Sequence, residues 1–167
     1  MRVRPAKFGD IPAIAELLKE AHSRSKYAAL SGFDTKAAKG LAMHAIQRHG
    51  LLANGGACAF VVDTPAAIEA APASSVQGFL LGIVQPLYLL GDALEAQDLH
   101  FLCANGAPAS AASRLVGAYV DWALSVPGVR SVKMSATDVL QPWEGAARLF
   151  RRKGFRQAGV VYERIVE

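Results

Sequence analysis

The stretch Asp98–Ala123 reads DLHFLCANGAPASAASRLVGAYVDWA, and it decides how the rest of the chain is arranged. Its first part, Asp98–Cys103, is an apolar run that predicts a strand. The residues Asn105–Pro108 interrupt that run, because glycine and proline both break regular structure. From Ala109 onward, apolar side chains recur every three or four residues, which is typical of an amphipathic helix. The stretch therefore predicts a strand, a tight turn and a helix in direct succession.

A turn of this kind presents unpaired backbone donors where the helix begins. The first N–H groups of a helix have no partner within it, and the positive end of the helix dipole lies there as well. A phosphate or pyrophosphate fits such a position. An ordinary strand-to-helix connection without a ligand has the same sequence features, and the stretch alone favours that simpler interpretation.

The composition bounds the class of protein. The chain has 167 residues, of which 52% are hydrophobic and 19% charged, and these values indicate one globular domain over residues 1–167. The formal net charge is +4, and the clearest basic cluster is Arg151–Lys153. A solvated helix end explains that cluster, and no nucleic-acid-binding module accompanies it. We therefore expect no nucleic-acid partner.

Targeting segments and metal sites are also absent from the pattern. No segment is long and apolar enough to span a membrane, and the first residues lack the features of a signal peptide, so we expect a cytoplasmic protein without a membrane partner. The two cysteines, Cys58 and Cys103, lie in apolar runs, which predicts buried free thiols and no disulfide. Neither has a partner at metal-ligand spacing, and we expect no metal.

Apolar periodicity and turn residues define the remaining elements. Strands are predicted at Arg2–Pro5, Ala57–Val62, Val76–Val84, Arg130–Ala136, Phe155–Ala158 and Val160–Val166. Further helices are predicted after Asp10, after Asp34 or Thr35, and from Trp143 to Lys153. Gly78 and Gly82 lie inside a strand, which indicates a bulge or the close approach of another backbone or a ligand.

The resulting order is β-α-α-β-β-β-α-β-α-β-β. It mixes consecutive strands with strand–helix units. We therefore predict an α+β fold in which a mixed, mostly antiparallel central sheet carries helices on both faces.

Several phrases of the sequence resemble the GCN5-related N-acetyltransferase (GNAT) superfamily, and the resemblance spans essentially the whole chain. Arg2–Ala6 followed by Gly9–Ile14 resembles the family's IRPA and DIPAI segments. The segment Ala147–Phe155 resembles its A-x-x-L-Y-x-x-x-G-F ending, and Val160–Arg164 suits its last strand. The chain also resembles a subgroup of this family that is met beside phage genes.

The resemblance implies a coenzyme and a reaction. In this family the central strand separates from its neighbour and pairs with the pantetheine arm of acetyl-CoA, while the following turn binds the pyrophosphate. The acetyl group moves to a primary amine, here of an unknown small-molecule or peptide acceptor. By this resemblance the pantetheine arm would lie along Leu102, Cys103 and Ala104. The residues that would surround the phosphates are Ala107, Ser110, Ala111, Ala112, Ser113 and Arg114.

The phosphate-binding turn departs from the family pattern. The R/Q-x-x-G-x-G/A motif falls on Ala107, Ser110 and Ala112, so its Arg or Gln and its first glycine are both replaced. Glycine allows the backbone to approach phosphate oxygens without an intervening Cβ. Pro108 also removes one backbone donor. We therefore expect weakened or absent binding of acetyl-CoA, with the hydroxyls of Ser110 and Ser113 and the side chain of Arg114 as compensating donors.

The catalytic positions depart as well. The family's tyrosine, which often protonates the departing thiolate, falls on Phe150, a residue that has no proton to give. Asp98 and His100 are the titratable candidates for a general base on the central strand, and histidine has the better ordinary pKa for that role. Because acetyl-CoA is already activated and positioning contributes most, loss of the tyrosine does not exclude transfer.

Three hypotheses about function stay open on the sequence. The first is an acetyl-CoA-dependent N-acetyltransferase, which the whole-chain resemblance supports. The second is a catalytically degenerate member of the fold that binds a ligand or a protein, which the replacements at Ala107, Ser110 and Phe150 support. The third is a structural partner protein that forms a homodimer through its C-terminal strands, with Leu87–Leu90 as an exposed apolar patch.

Overall fold

A computed structural model describes residues 1–64 and 76–166, and these residues form a five-stranded sheet in the order β1 to β5. The strands are β1 (Arg2–Pro5), β2 (Ala57–Asp63), β3 (Val76–Pro86), β4 (Leu94–Cys103) and β5 (Val129–Lys133). Neighbouring strands are antiparallel except for β4 and β5, which are parallel. The predicted mixed, mostly antiparallel sheet is confirmed, although β4 begins at Leu94 and not at Asp98.

Helices cover both faces of this sheet, as the sequence predicts. They are α1 (Ile11–Ser23), α2 (Thr35–Gln47), α3 (Ala109–Ser125) and α4 (Glu144–Arg152). On one face, α1 and α2 pack through small side chains such as Ala15 and Ala42, so these helices lie close to the strands. On the other face, α3 packs through the larger side chains of Leu115, Tyr119 and Trp122. Two apolar layers therefore enclose the sheet, and the α+β class is confirmed.

A partly buried ion-pair network fastens the beginning of the chain to the sheet. Arg4 of β1 donates to Asp63 of β2 at 2.6 Å and to the two Asp10 carboxylate oxygens at 2.7 and 2.9 Å. Burial opposes the ionisation of Asp10, but hydrogen bonds from Arg4 and from the Lys7 backbone outweigh it and lower the pKa of Asp10. Asp10 is the N-cap residue of α1, as predicted, but its side chain binds Arg4 and not the helix.

The C-terminal segment differs from the prediction. Strands are expected at Phe155–Ala158 and Val160–Val166, but the described residues 153–166 form none. Valine and isoleucine favour strands only where a neighbouring strand supplies backbone partners and packing. Here Glu163 binds the side chains of Lys26 and Tyr27 in the α1–α2 connection, and no described strand is paired with the segment. The last two strands of the predicted order are therefore wrong.

Candidate functional site: a fork between two strands

The parallel strands β4 and β5 are paired over only part of β4. Their pairing begins at Leu94 with Val129 and ends at Gln97 with Lys133. Beyond that pair, Asp98–Cys103 of β4 is paired with β3, and no described strand lies along its other edge. We call this opening, between Asp98–Cys103 and residues 134–136 that follow β5, the fork. A strand edge of this kind has free backbone groups that an extended ligand can pair with.

A β-bulge lies at the base of the fork. In the pairing of β3 with β4, Leu81 is opposite His100 whereas Gly82 is opposite Asp98, so Leu99 is an extra residue in β4. Successive side chains of a strand point to opposite faces, and one extra residue inverts that alternation. The glycine in β3 is thus part of a bulge, which is one of the two outcomes that the sequence predicts for it.

The bulge separates the two candidates for a general base. Asp98 lies on the face covered by α3, where it interacts electrostatically with Cys58 and Tyr119. His100 precedes Phe101, whose ring packs on the α3 side, so the His100 imidazole points to the opposite face. The structure therefore does not bring Asp98 and His100 together.

Their chemical settings differ too. Asp98 is 7% exposed, and its Oδ1 accepts a hydrogen bond of 2.9 Å from the Ser135 N–H. Burial raises the pKa of Asp98 from its ordinary value of 3.8 to about 6, against the opposing effect of the Ser135 hydrogen bond. His100 is exposed at the surface, and desolvation by the surrounding strand atoms lowers the pKa of its imidazole. At neutral pH, His100 is thus a neutral, accessible imidazole, whereas Asp98 is a buried carboxylate in a structural contact.

Of the residues predicted to lie along a pantetheine arm, Leu102 and Cys103 lie at the edge of the fork, and Ala104 follows the end of β4. Leu102 packs toward α1 and α2, whereas Cys103 packs toward α3. Desolvation raises the pKa of the Cys103 thiol to about 11, so the thiol stays protonated at neutral pH and is a poor nucleophile. Ala104 donates its N–H to Gln77 at 2.9 Å, which continues the pairing with the β3 side beyond the end of β4.

The turn after β4 has the form that the sequence predicts. Gly106 has a φ of +79°, Pro108 is the N-cap residue, and α3 begins at Ala109. The Ala107 N–H is used inside the turn, where it donates to Ala104 at 3.0 Å. The N–H groups at the beginning of α3, those of Ala109 and Ser110, precede the first full helical hydrogen bond and have no helical partner. These two backbone N–H groups are therefore available to an anion at the turn.

A contact that sequence reasoning missed holds this turn against α1. Asn105 donates to the Glu20 carboxylate at 2.7 Å and accepts from Arg24 at 2.8 Å. Glu20 and Arg24 lie in the last turn of α1 and directly after it, far from Asn105 along the chain. Only the fold brings them together, and they tie one end of the fork to the opposite helical layer.

A groove of about 450 Å³ runs along the outer side of α3, next to the turn. Its lining comes from β1, α3 and the end of α4 and comprises Met1, Arg2, Val3, Ser113, Arg114, Gly117, Ala118, Asp121 and Lys153. Three of these residues are cationic and one is anionic, so the groove has a positive balance. The groove contains Ser113 and Arg114, two of the residues predicted to face phosphates, and Ser110 lies beside it with its Oγ 3.9 Å from the Met1 sulfur.

The other predicted residues of α3 point inward. Ala111 is fully buried against the sheet, and Ala112 packs against α4, so neither side chain reaches the groove. Phe150 of α4 is 6% exposed and packs against Val116 and against the Phe101 ring, with 6.0 Å between ring centroids. It is a packing residue and offers no proton to the fork.

Two negative observations apply to the part of the chain that the structure describes. In residues 1–64 and 76–166, no group of three His, Cys, Asp or Glu side chains could hold a metal ion. None of the helices in these ranges is long and apolar enough to cross a membrane.

Comparison with solved structures identifies the fold. No protein-family model matches the sequence, and no curated protein matches it either. A ribosomal-protein-alanine N-acetyltransferase of Brucella melitensis is similar in structure, with a TM-score of 0.64, 17% identity, and coverage of 99% of this chain and 100% of that one.

Two further matches show how widely this fold is used. An acetyltransferase of Trypanosoma brucei has a TM-score of 0.66 at 13% identity over 99% of both chains. A transcriptional regulator of Bacillus halodurans has a TM-score of 0.67 at 14% identity over 99% of both chains. Such identities establish a common fold and leave function to the site. The chain therefore has the fold of the GCN5-related N-acetyltransferases, as its sequence resemblance predicts.

Proposed function

We propose that the protein is an N-acetyltransferase that moves an acetyl group from acetyl-CoA to a primary amine. The observation that carries the proposal is the fork, because its free strand edge continues into a turn and then into the unpaired N–H donors at the beginning of α3. Ser113 and Arg114 of the same helix line a basic groove. Each part suits one part of an extended, polyanionic thioester. The acetyltransferases of similar fold support the reaction type.

The residues around the fork fit such a coenzyme, although they hold its phosphates weakly. The amide groups of a pantetheine arm could pair with β4 along Leu102–Ala104 as an added strand would. The phosphates would face the N–H groups at the beginning of α3 and the side chain of Arg114. Pro108 supplies no N–H donor. Ala107 replaces the long Arg or Gln side chain of the family motif, and Ser110 adds a Cβ atom where the motif has glycine. We therefore expect binding without high affinity.

His100 is the residue that could handle the amine proton. An ammonium ion must lose a proton before its nitrogen can attack a thioester carbonyl. The coenzyme, when bound, supplies an acetyl group that is already activated as a thioester. The lowered pKa leaves His100 neutral at pH 7, and its exposed side can accept that proton directly or through water. Phe150 cannot return a proton to the leaving thiolate, so solvent must supply it.

Thiol release in the presence of acetyl-CoA and a panel of amines and short peptides tests this proposal. We expect turnover with at least one primary amine. We also expect His100→Ala to lower kcat at pH 7 by roughly tenfold or more, because a positioned base contributes at least that much. Arg114→Ala should raise KM for the coenzyme and change kcat little. Absence of binding at millimolar acetyl-CoA would overturn the proposal.

The second candidate function is a non-catalytic module that binds a ligand or protein through the same fork. Two observations favour it, namely Phe150 buried in the position of the family's acid and Pro108 at the helix start. The two candidates differ in one result. Saturable binding of coenzyme or free pantetheine, without thiol release across the amine panel, would favour the module.

A further inference from the structure

Two side chains fix the path of the chain where β5 leaves the sheet. Asp98 of β4 accepts a hydrogen bond of 2.9 Å from the Ser135 N–H. The hydroxyl of Tyr119, from α3, donates to the Lys133 carbonyl at 3.0 Å. Lys133 is the last residue of β5 that is paired with β4, and Ser135 follows shortly after it. Both hydrogen bonds therefore act at the point where the strands separate.

The Asp98 contact competes with the sheet itself. A parallel ladder continues when each new N–H finds a carbonyl on the neighbouring strand. A continued ladder would use the Ser135 N–H as a donor to β4. In this protein the Ser135 N–H donates to the Asp98 carboxylate instead. The Tyr119 hydroxyl likewise binds a carbonyl at the last paired residue. Side chains thus satisfy backbone groups that would otherwise favour closing the fork along β4.

Burial of the Asp98 carboxylate lowers the stability of the folded state. Asp98 and Tyr119 are both buried, and Asp98 has no ion-pair partner among the described residues. A buried carboxylate without a cation destabilises a fold unless hydrogen bonds compensate for the lost water. Hydrogen bonds from the backbone N–H and the hydroxyl of Ser135, together with the Asp98 backbone, supply that compensation, so the contact is a specific feature of this place in the chain.

The bulge, the glycine and the tyrosine form one unit with this contact. A Cβ atom on Gly82 would lie 2.8 Å from the Tyr119 ring and 3.2 Å from the Gln97 carbonyl. The Tyr119 ring therefore fits only because residue 82 is glycine. The same glycine faces Asp98 at the edge of the bulge. Three elements, β3, β4 and α3, thus cooperate to set the direction of β5.

We propose that Asp98 and Tyr119 are positioning residues that hold the fork at the width needed for an extended amide-bearing arm to enter beside β4. The identity of that arm as pantetheine rests on the function proposed above. Asp98 acts as a hydrogen-bond acceptor in this role and not as the base of the reaction. A neutral acceptor of the same shape should therefore replace it, whereas a side chain without an acceptor should not.

The test compares three variants with wild type: Asp98→Asn, Asp98→Ala and Tyr119→Phe. Glu16→Gln, a change at an exposed carboxylate on α1, is the matched control for altered charge. One readout is the exchange rate of the Ser135 amide proton measured by NMR, which requires no coenzyme. The other is the dissociation constant of acetyl-CoA measured by calorimetry. Tyr119→Phe keeps the buried ring and provides a second, conservative change if Asp98→Ala does not fold.

We expect Asp98→Asn and Glu16→Gln to keep Ser135 exchange and coenzyme affinity within about threefold of wild type, since a retained hydrogen bond preserves the geometry. Asp98→Ala should speed Ser135 exchange and weaken coenzyme binding by roughly tenfold, and Tyr119→Phe should weaken it by several-fold. Unchanged Ser135 exchange in Asp98→Ala would overturn the inference, and so would an Asp98→Asn variant as impaired as Asp98→Ala.

A failure of the proposed function would look different. Wild type would then not bind acetyl-CoA, while Ser135 exchange would still separate Asp98→Ala from Asp98→Asn. In that case the exchange rates alone decide whether Asp98 holds the fork.

Discussion

The Oδ1 atom of Asp98 lies 2.9 Å from the backbone nitrogen of Ser135, where the strands β4 and β5 separate. Burial raises the pKa of this carboxyl to about 6 in the folded chain, above its ordinary value of 3.8. The folded protein therefore holds the proton more tightly than the unfolded chain does. The resulting stability is fully present below pH 3.8 and is lost as the pH rises through about 6.

We therefore expect Asp98→Asn to stabilise the protein at pH 8 and not at pH 3.5. The asparagine keeps an acceptor for Ser135 but carries no buried charge, so the gain at pH 8 should be about 3 kcal/mol. Urea denaturation of both proteins at the two pH values measures it. Equal differences at the two pH values would show that Asp98 ionises without a penalty.

Gly82 allows the Tyr119 ring to lie against β3. A Cβ atom at this position would lie within 2.8 Å of that ring, so Gly82→Ala should destabilise the fold by about 2 kcal/mol through overpacking. Gly40→Ala is the matched control, because Gly40 lies in α2 with no atom within 4 Å of the added Cβ. That change should stabilise the fold by about 0.5 kcal/mol, since alanine favours the helix.

Thermal or urea unfolding of the two glycine variants gives both values. A Gly82→Ala protein as stable as wild type would mean that Tyr119 can move without cost. The fork would then not depend on close packing between β3 and α3.

The turn between β3 and β4 contains two consecutive residues with left-handed backbone, Tyr88 at a φ of 57° and Leu89 at 61°. Such a backbone costs a residue with a side chain about 1–2 kcal/mol, and glycine avoids most of that cost. We expect Leu89→Gly to stabilise the protein by about 0.5–1 kcal/mol in urea denaturation, after the greater freedom of glycine in the unfolded chain is deducted.

Leu90→Gly is the control for this change. Leu90 has a φ of −126° and is 88% exposed, against 68% for Leu89, so its replacement removes a comparable apolar side chain without relieving strain. It should leave stability unchanged or lower it. A larger gain for Leu90→Gly than for Leu89→Gly would refute the assignment of strain to Leu89.

The exposed apolar turn between β3 and β4 is consistent with the hypothesis that the protein self-associates, which stays a prediction. Tyr88, Leu89 and Leu90 are all exposed, so the apolar patch predicted from the sequence exists, whereas the C-terminal strands of that hypothesis do not form in the described residues.

Most of the architecture was predictable because it depends on local patterns. The break at Gly106 and Pro108 and the helical periodicity from Ala109 locate β4, the turn and α3. The position of Asp10 at the beginning of α1 was predictable for the same reason. Its pairing with Arg4 was not, since that contact depends on how the chain turns between β1 and α1.

The arrangement of the site was less predictable, because it depends on a single extra residue. Asp98 and His100 are two positions apart, and strict alternation would place them on one face of β4. The bulge at Leu99 places them on opposite faces, and the sequence signal for it was a glycine in the neighbouring strand, Gly82. The prediction of C-terminal strands was wrong for a related reason. Val160–Val166 has a high β propensity, but a strand also needs a neighbouring strand to pair with.

The melting temperature with and without acetyl-CoA tests the central claim, that the fork binds this coenzyme, most directly. Weakened phosphate binding at the turn before α3 predicts a dissociation constant of roughly 100 μM for acetyl-CoA. About 5 mM acetyl-CoA should then stabilise the native state by about 2 kcal/mol. For a chain of this size the melting temperature should rise by about 6 °C. Arg114→Ala should reduce that rise, and Glu16→Gln should not. No rise in melting temperature at millimolar acetyl-CoA would contradict the account. A low-micromolar dissociation constant would contradict the expected weak binding of the phosphates.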